Sequence, residues 1–214
     1  MKSFADFITE TQTARGHVNL LFERTMYSLI DDLEQIVKVL QEAGVSFEVV
    51  GGVAVNAHLL EAHRSRSFVT RDIDLLVRRE DLPRIVSAAE AGGYRGRKMF
   101  GGFALIKPDQ DLAEAVHLLF AAEKTREAQA MPNPEIHPEI KHLREFGVSV
   151  PVVRLADLIR MKLTSFRAKD EAHIEILDQC GLISAEVAAA LPDVLKSRLD
   201  QARSRYSADE FDPS

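Results

Sequence analysis

The sequence predicts an α+β protein, a small mixed sheet flanked by helices, with N-terminal helices and a C-terminal helical region. Three observations predict it. Helix-like and strand-like periods interleave through the middle of the chain, helical periods alone stand on either side, and glycine pairs punctuate the changes of period. The expected division is an N-terminal helical region over 1–43, a core over 44–150, a C-terminal helical region over 151–205 and a flexible tail over 206–214.

Each element has its own signal. Phe22, Met26, Leu29, Leu33, Ile36 and Leu40 are spaced by fours and threes, which makes a helical stripe, and Gly44 ends it. "VSFEVV" is short and rich in Val and Phe, hence a strand, and "VAVNAHLLEA" returns to helix. "DIDLLVRR" is a second strand, with Ile73, Leu75 and Val77 on one face and Asp72, Asp74 and Leu76 on the other. A helix follows over "EDLPRIVSAAEAGG", with Asp81 as cap, Pro83 in the first turn and Gly92-Gly93 as the stop. "YRGRKMF" and "FALIK" form a hairpin about Gly101-Gly102, and "EAVHLLFA" is a further strand. The Pro-rich "MPNPEIHPEI" reads as an irregular connector. Helices then run roughly from Leu155 to Arg167, Glu171 to Cys180 and Ser184 to Arg203.

Composition narrows the function classes. Of 214 residues, 46% are apolar and 28% charged, as in ordinary globular proteins. A single cysteine, Cys180, rules out an internal disulfide framework, and it is expected to be buried. With neither a leader nor a stretch of spanning length in view, the chain is expected to be cytoplasmic and not bound to a membrane. A net charge of -6 argues against a broad nucleic-acid-coating surface but leaves room for a local basic groove. The histidines, among them His58, His63, His137 and His142, show no zinc-site spacing.

Two stretches carry chemistry. In "VVGGVAVNAH" a strand ends in Gly51-Gly52 and a helix begins, so backbone N–H groups are exposed where a helix N-terminus favours a phosphate. A tight turn without a ligand is the alternative. In "TRDIDLLV" Asp72 and Asp74 leave one strand face with Cα atoms roughly 7 Å apart. Two carboxylates so placed repel unless a cation neutralises them, and magnesium held by paired carboxylates is a common solution in phosphoryl transfer. A solvated acidic edge is the alternative here. The spacing lets one helix return the chain and bring the glycine turn and the carboxylates to the same sheet edge. The basic stretch from His63 to Arg71 runs into this strand and can guide a triphosphate or an RNA phosphate, or be a solvated loop.

At these residues the sequence resembles the DNA polymerase beta-like nucleotidyltransferase superfamily, including its small bacterial toxin-type, abortive-infection members. The resemblance covers roughly Val45 to Leu177 and extends through "LADLIRMKLTSFRAKD". It implies a nucleotidyltransferase fold in which Gly51 and Gly52, with Arg71, Lys169 and Asp170, hold a nucleoside triphosphate. It also implies that Asp72 and Asp74 bind Mg2+ or Mn2+, that Lys162 is a catalytic cation, and that a nucleoside monophosphate passes to a hydroxyl acceptor, RNA, protein or a small molecule, with release of pyrophosphate. An antitoxin partner belongs to the same picture. By spacing alone, Lys162 and Lys169 share one helix face if the helix continues past Phe166; a solvated basic face, with Asp170 as the cap of the next helix, is the plainer reading.

One position departs from the family pattern. Active members carry a third carboxylate on a later strand, and the best match, "AVHLLF", has His117 there. An imidazole offers one lone pair and no negative charge, so it is a poor magnesium ligand, though it can act as a base. Glu114 would lie on the opposite strand face. The expectation is therefore a catalytic set of Asp72, Asp74, His117 and Lys162 with slow or absent transfer, or a degenerate module that binds nucleotide or a partner.

Overall fold

The computed structural model describes residues 18–62, 70–108, 110–143 and 148–209. Most of the basic stretch, including His63, and the tail beyond residue 209 lie outside the described residues. Helix α1, Val18–Glu42, carries the expected stripe, buried from Leu29 through Leu33, Ile36 and Leu40, and Gly44 follows at φ +65°. Strand β1, Phe47–Val50, leads directly into helix α2, Gly51–Ala62. Strand β2, Ile73–Val77, is followed by a tight turn over Arg79–Asp81 and helix α3, Leu82–Ala91. Asp81 stands at the cap position of α3, but its side chain makes no capping bond and pairs with Arg84 instead.

The hairpin of β3, Arg95–Met99, and β4, Gly102–Ile106, forms as expected, and β5, Val116–Phe120, follows. A second hairpin was not expected: β6, Glu139–Leu143, and β7, Val148–Val152, arise where the chain reads as connector and as the start of helices. Pro151 sits opposite Ile140 in that hairpin, and a proline inside a strand masks the strand signal. The sheet order is β3-β4-β5-β2-β1-β7-β6. β2 and β5 are parallel, as are β1 and β7, and the remaining neighbours are antiparallel, so the sheet is mixed.

Helices α4, Leu155–Ser165, α5, Ala168–Gln179, the short α6, Ala185–Ala189, and α7, Asp193–Asp209, complete the chain. The helix expected over Leu155–Arg167 ends earlier, because Phe166 adopts a left-handed backbone at φ +47°. Pro192 divides the last expected helix into α6 and α7. Helix α2 packs on β1, β2, α4 and α5, α7 on α4 and α5, and α1 on α3. One core joins Ile36 and Leu40 of α1, Leu75 of β2, Leu118 of β5 and Leu158 of α4. Among the described residues no helix is long and apolar enough to cross a membrane.

Candidate active site

The paired glycines bridge β1 and α2, and the reason for them is visible in what surrounds them. Gly51 has φ +67°, a left-handed conformation that glycine adopts at no steric cost. A Cβ on Gly51 would lie 2.0 Å from Asp74 Oδ2, and one on Gly52 would lie 2.5 Å from Thr70 Oγ1. The space the glycines leave is thus filled by the chain's own acidic strand. That packing lets Asp74 reach the start of α2, and it lets Thr70 turn its hydroxyl to Asp72 Oδ1 at 2.9 Å.

Register aligns the rest. Val50 pairs with Asp74, Asp74 with His117, His117 with Ala104 and Ala104 with Arg97, so these five residues form a row across one sheet face. Asp74 and His117 are neighbours on parallel strands. The His117 Nε2 lies 3.2 Å from the Leu112 carbonyl. A carbonyl only accepts, so Nε2 is the donor of that bond, and the lone pair of a neutral ring is on Nδ1.

The two carboxylates differ. Burial, reinforced by the Asp72 carboxylate, pushes the Asp74 carboxyl above its ordinary range. Asp72 lies just before β2; burial opposes its ionisation too, but the Lys169 ammonium and the Thr70 hydroxyl outweigh it and hold Asp72 below its ordinary range. Lys169 Nζ stands 3.5 Å from Asp72 Oδ2.

Lys162 comes from the inner face of α4 and is 5% exposed. Its Nζ lies 3.1 Å from Oδ1 of Asp170, which is fully buried. Oδ2 of Asp170 accepts from the Ser165 hydroxyl at 2.6 Å, from Arg167 Nε at 2.8 Å and from the Arg167 backbone N–H at 3.3 Å. Burial works against the Asp170 anion, but the Arg167 bonds and the Lys162 charge hold its carboxyl at about 2. Lys162 and Lys169 therefore do not share a helix face. The break at Phe166 turns the chain, so that Asp170 caps α5 and meets Lys162 while Lys169 reaches Asp72.

A cleft of about 320 Å³ opens beside these groups, lined by Gly51, Asp74, Lys162, Arg167, Asp170 and Arg126 among others. Its outer wall is the segment after β5, in which Gln129 Oε1 accepts from the Thr125 N–H at 2.7 Å and Asn133 Nδ2 donates to the Phe120 carbonyl at 2.9 Å. Arg198 of α7 donates to the carbonyls of Leu163 and Thr164 at 2.7 Å each, satisfying the open C-terminal end of α4. Of the residues singled out in the sequence, Gly51, Asp74, Lys162 and Asp170 line the cleft; Asp72, His117 and Lys169 stand beside Asp74, and Gly52 lies under Thr70. Arg71 is exposed, and no contact joins it to the cleft among the described residues. Thr70, Ser165, Arg126 and Arg198 were missed. Thr70 directly precedes the acidic motif and could have been suspected; Arg198 carries no local signal at all.

A family model described as uncharacterised nucleotidyltransferase matches residues 19–204. The chain belongs to that nucleotidyltransferase family. Its fold is also that of solved nucleotidyltransferase structures. The antibiotic-resistance factor ANT(2'')-Ia in solution is 17% identical, with a TM-score of 0.52 over 86% of this chain and 96% of that one. ANT(2'')-Ia in complex with adenylyl-2''-tobramycin is 20% identical, with a TM-score of 0.50 over 84% and 99%. An antigenic nucleotidyltransferase-like protein from Paracoccidioides brasiliensis is 13% identical, with a TM-score of 0.50 over 85% and 90%. A comparison with curated proteins finds no match.

Nucleotidyltransferases of this fold imply a divalent cation. Two carboxylates, one of them kept from ionising freely by burial and by the charge of the other, form a donor pair suited to a hard cation, and the pocket that Gly51 leaves for Asp74 fixes one of them in place. The residue beside Asp74 in the row is His117, which offers a nitrogen and no third carboxylate. Among the described residues no group of three or more His, Cys, Asp and Glu is gathered with metal-site geometry.

Proposed function

We propose that this chain transfers a nucleoside monophosphate from a nucleoside triphosphate to a hydroxyl group of RNA, protein or a small molecule. The observation that carries the reading is the convergence of Asp74, Gly51 and Lys162 on one cleft, with Asp72 and His117 beside Asp74. Backbone N–H groups at the start of α2 take a phosphate, and Lys162, held by Asp170, faces the triphosphate as a fixed cation. Lys169 leaves Asp72 for the phosphates as the nucleotide enters. A divalent cation at Asp72 and Asp74 supplies charge neutralisation at the phosphates. The acceptor oxygen bonds to the α-phosphorus, the bond to the bridging oxygen breaks, pyrophosphate leaves, and the hydroxyl proton passes to the free nitrogen of His117. The toxin-type resemblance of residues 155–170 supports a place in a toxin-antitoxin pair, with the antitoxin as regulating partner.

His117 favours a second reading, a module that binds nucleotide without turning it over. One experiment separates the two: each of four labelled nucleoside triphosphates, with magnesium or manganese, is incubated with total RNA and with the protein itself. Label transferred by the wild type and lost in Asp74→Asn supports the enzyme. Nucleotide binding without transfer under every condition supports the module, and no binding of any nucleotide contradicts both.

A further inference from the structure

The chain is acidic overall, with a net charge of -6, yet one edge of its sheet is not. Strand β3 reads Arg95, Gly96, Arg97, Lys98, and all four residues are exposed. Among the described residues none of these three cations forms an ion pair, and the same holds for Lys124 and Arg126 in the segment after β5. Of the two acids next to Lys124 and Arg126, Glu123 is engaged by Arg79, and Glu127, exposed, directly follows Arg126. Arg97, through its register with Ala104, lies on the sheet face of His117 and Asp74, and Arg95, two residues away, lies on it as well. At about 4.8 Å per strand, Arg97 stands roughly 14 Å from Asp74.

The tip of the same hairpin carries Phe100, 90% exposed, the most exposed large apolar side chain among the described residues. Next to it Gly101, at φ +76°, is pressed so closely on the Thr125 carbonyl that a Cβ would lie 2.0 Å from that oxygen. Thr125 and Arg126 in turn line the cleft. A continuous surface therefore runs from the cleft over Arg126 to an exposed ring and on to two arginines of the same sheet face. Buried Ala104 and the Leu112 carbonyl over His117 close the straight line across the sheet, so the route bends round the hairpin tip.

We propose that this edge binds a single-stranded RNA acceptor, with a base stacked on Phe100 and backbone phosphates on Arg97, Arg95 and Arg126. Cations tracking a backbone beside an exposed aromatic ring are the elements of single-strand recognition. An acidic peptide would satisfy the arginines and leave the ring in water. A duplex keeps its bases stacked on each other and cannot give one to Phe100. This inference rests on the transfer reaction proposed above, for which it names the acceptor and its path.

The test is the fluorescence anisotropy of a short labelled poly(A) RNA, titrated with the full chain in the absence of nucleoside triphosphate, over a series of salt concentrations. Binding is expected to weaken with salt. Phe100→Ala is expected to weaken it roughly tenfold. Arg97→Ala is expected to make the slope of log affinity against log salt shallower by about 0.7. Both side chains are exposed and outside the cleft, so melting temperature and nucleotide binding are expected to stay at the wild-type values. The proposal is overturned if the wild type does not bind the RNA at low salt, if both variants bind as the wild type does, or if polyglutamate or duplex RNA competes as well as the single strand. RNA binding kept without any nucleotide binding would contradict the transfer reaction and leave the surface standing; nucleotide binding kept without RNA binding would do the reverse.

Discussion

The Asp74 carboxylate occupies the volume that a side chain on Gly51 would need, its Oδ2 lying 2.0 Å from the position of that missing Cβ. The glycine turn and the acidic strand are therefore one packing unit, and each specifies the other. Gly51→Ala meets both a left-handed backbone at φ +67° and this clash. We predict a lower melting temperature and at least a tenfold loss of transfer. Gly44→Ala is the control, since Gly44 has nearly the same backbone, φ +65°, with nothing within 4 Å of its Cβ position. It should cost only the backbone term, about 1 kcal/mol. Equal effects of the two substitutions on stability would show that Asp74 yields freely.

Removing the anion that faces Lys162 should unsettle the whole junction of α4 and α5. Asp170→Asn leaves an ammonium buried without its counter-charge and weakens the bonds from Ser165 and Arg167. The expected destabilisation is about 3–5 kcal/mol, the size typical of a broken buried pair. Chemical denaturation measures it. A loss below about 1 kcal/mol would mean that water reaches Lys162 and that Asp170 acts only as a cap.

Glu48 gives the fold a pH dependence of its own. This residue of β1 is 1% exposed, its Oε1 accepts from the His137 backbone N–H, and Oε2 has no partner. Burial raises its carboxyl to about 7, against the opposing bond from His137. Because the folded value lies above the unfolded one, the protonated form is favoured by folding, and stability falls as pH rises from about 4.5 to about 7. Glu48→Gln keeps an oxygen for His137 and removes the ionisation. It should flatten the melting temperature over that window and raise stability at pH 8 by up to about 3 kcal/mol. A wild-type profile unchanged by the substitution would place the titration elsewhere.

Asp74→Asn should spare the fold while it removes transfer. The amide relieves repulsion with Asp72 in the empty cleft, so the melting temperature is expected to hold or rise slightly. A marked fall would show that the carboxylate serves packing against Gly51 rather than chemistry.

Local rules were enough to read the acidic strand, the glycine turn, the β3–β4 hairpin and the buried stripe of α1. Alternation, helical spacing and glycine pairs act over a few residues, and nothing distant overrules them there. Phe166 shows where such rules stop. A phenylalanine at φ +47° has no sequence signature; it is held there by the bonds that gather Ser165 and Arg167 on Asp170. The β6–β7 hairpin was hidden for a related reason, since Pro151 argues against a strand except where its missing N–H is not needed. Lys162 and Asp170 were both legible by resemblance, yet their pairing came into view only once the turn at Phe166 brought the two together. Arg198 completes α4 from more than thirty residues away and could not be read at all.

We propose that Asp72 and Asp74 form a two-carboxylate site whose third position is held by His117. Label transfer from nucleoside triphosphates by the wild type and by His117→Asp, compared in magnesium and in manganese, decides whether they do. We predict slow transfer by the wild type, faster in manganese, and a gain of tenfold or more in magnesium when the imidazole is replaced by a carboxylate. Robust magnesium-dependent transfer by the wild type, unaffected by His117→Asp or His117→Ala, would contradict it.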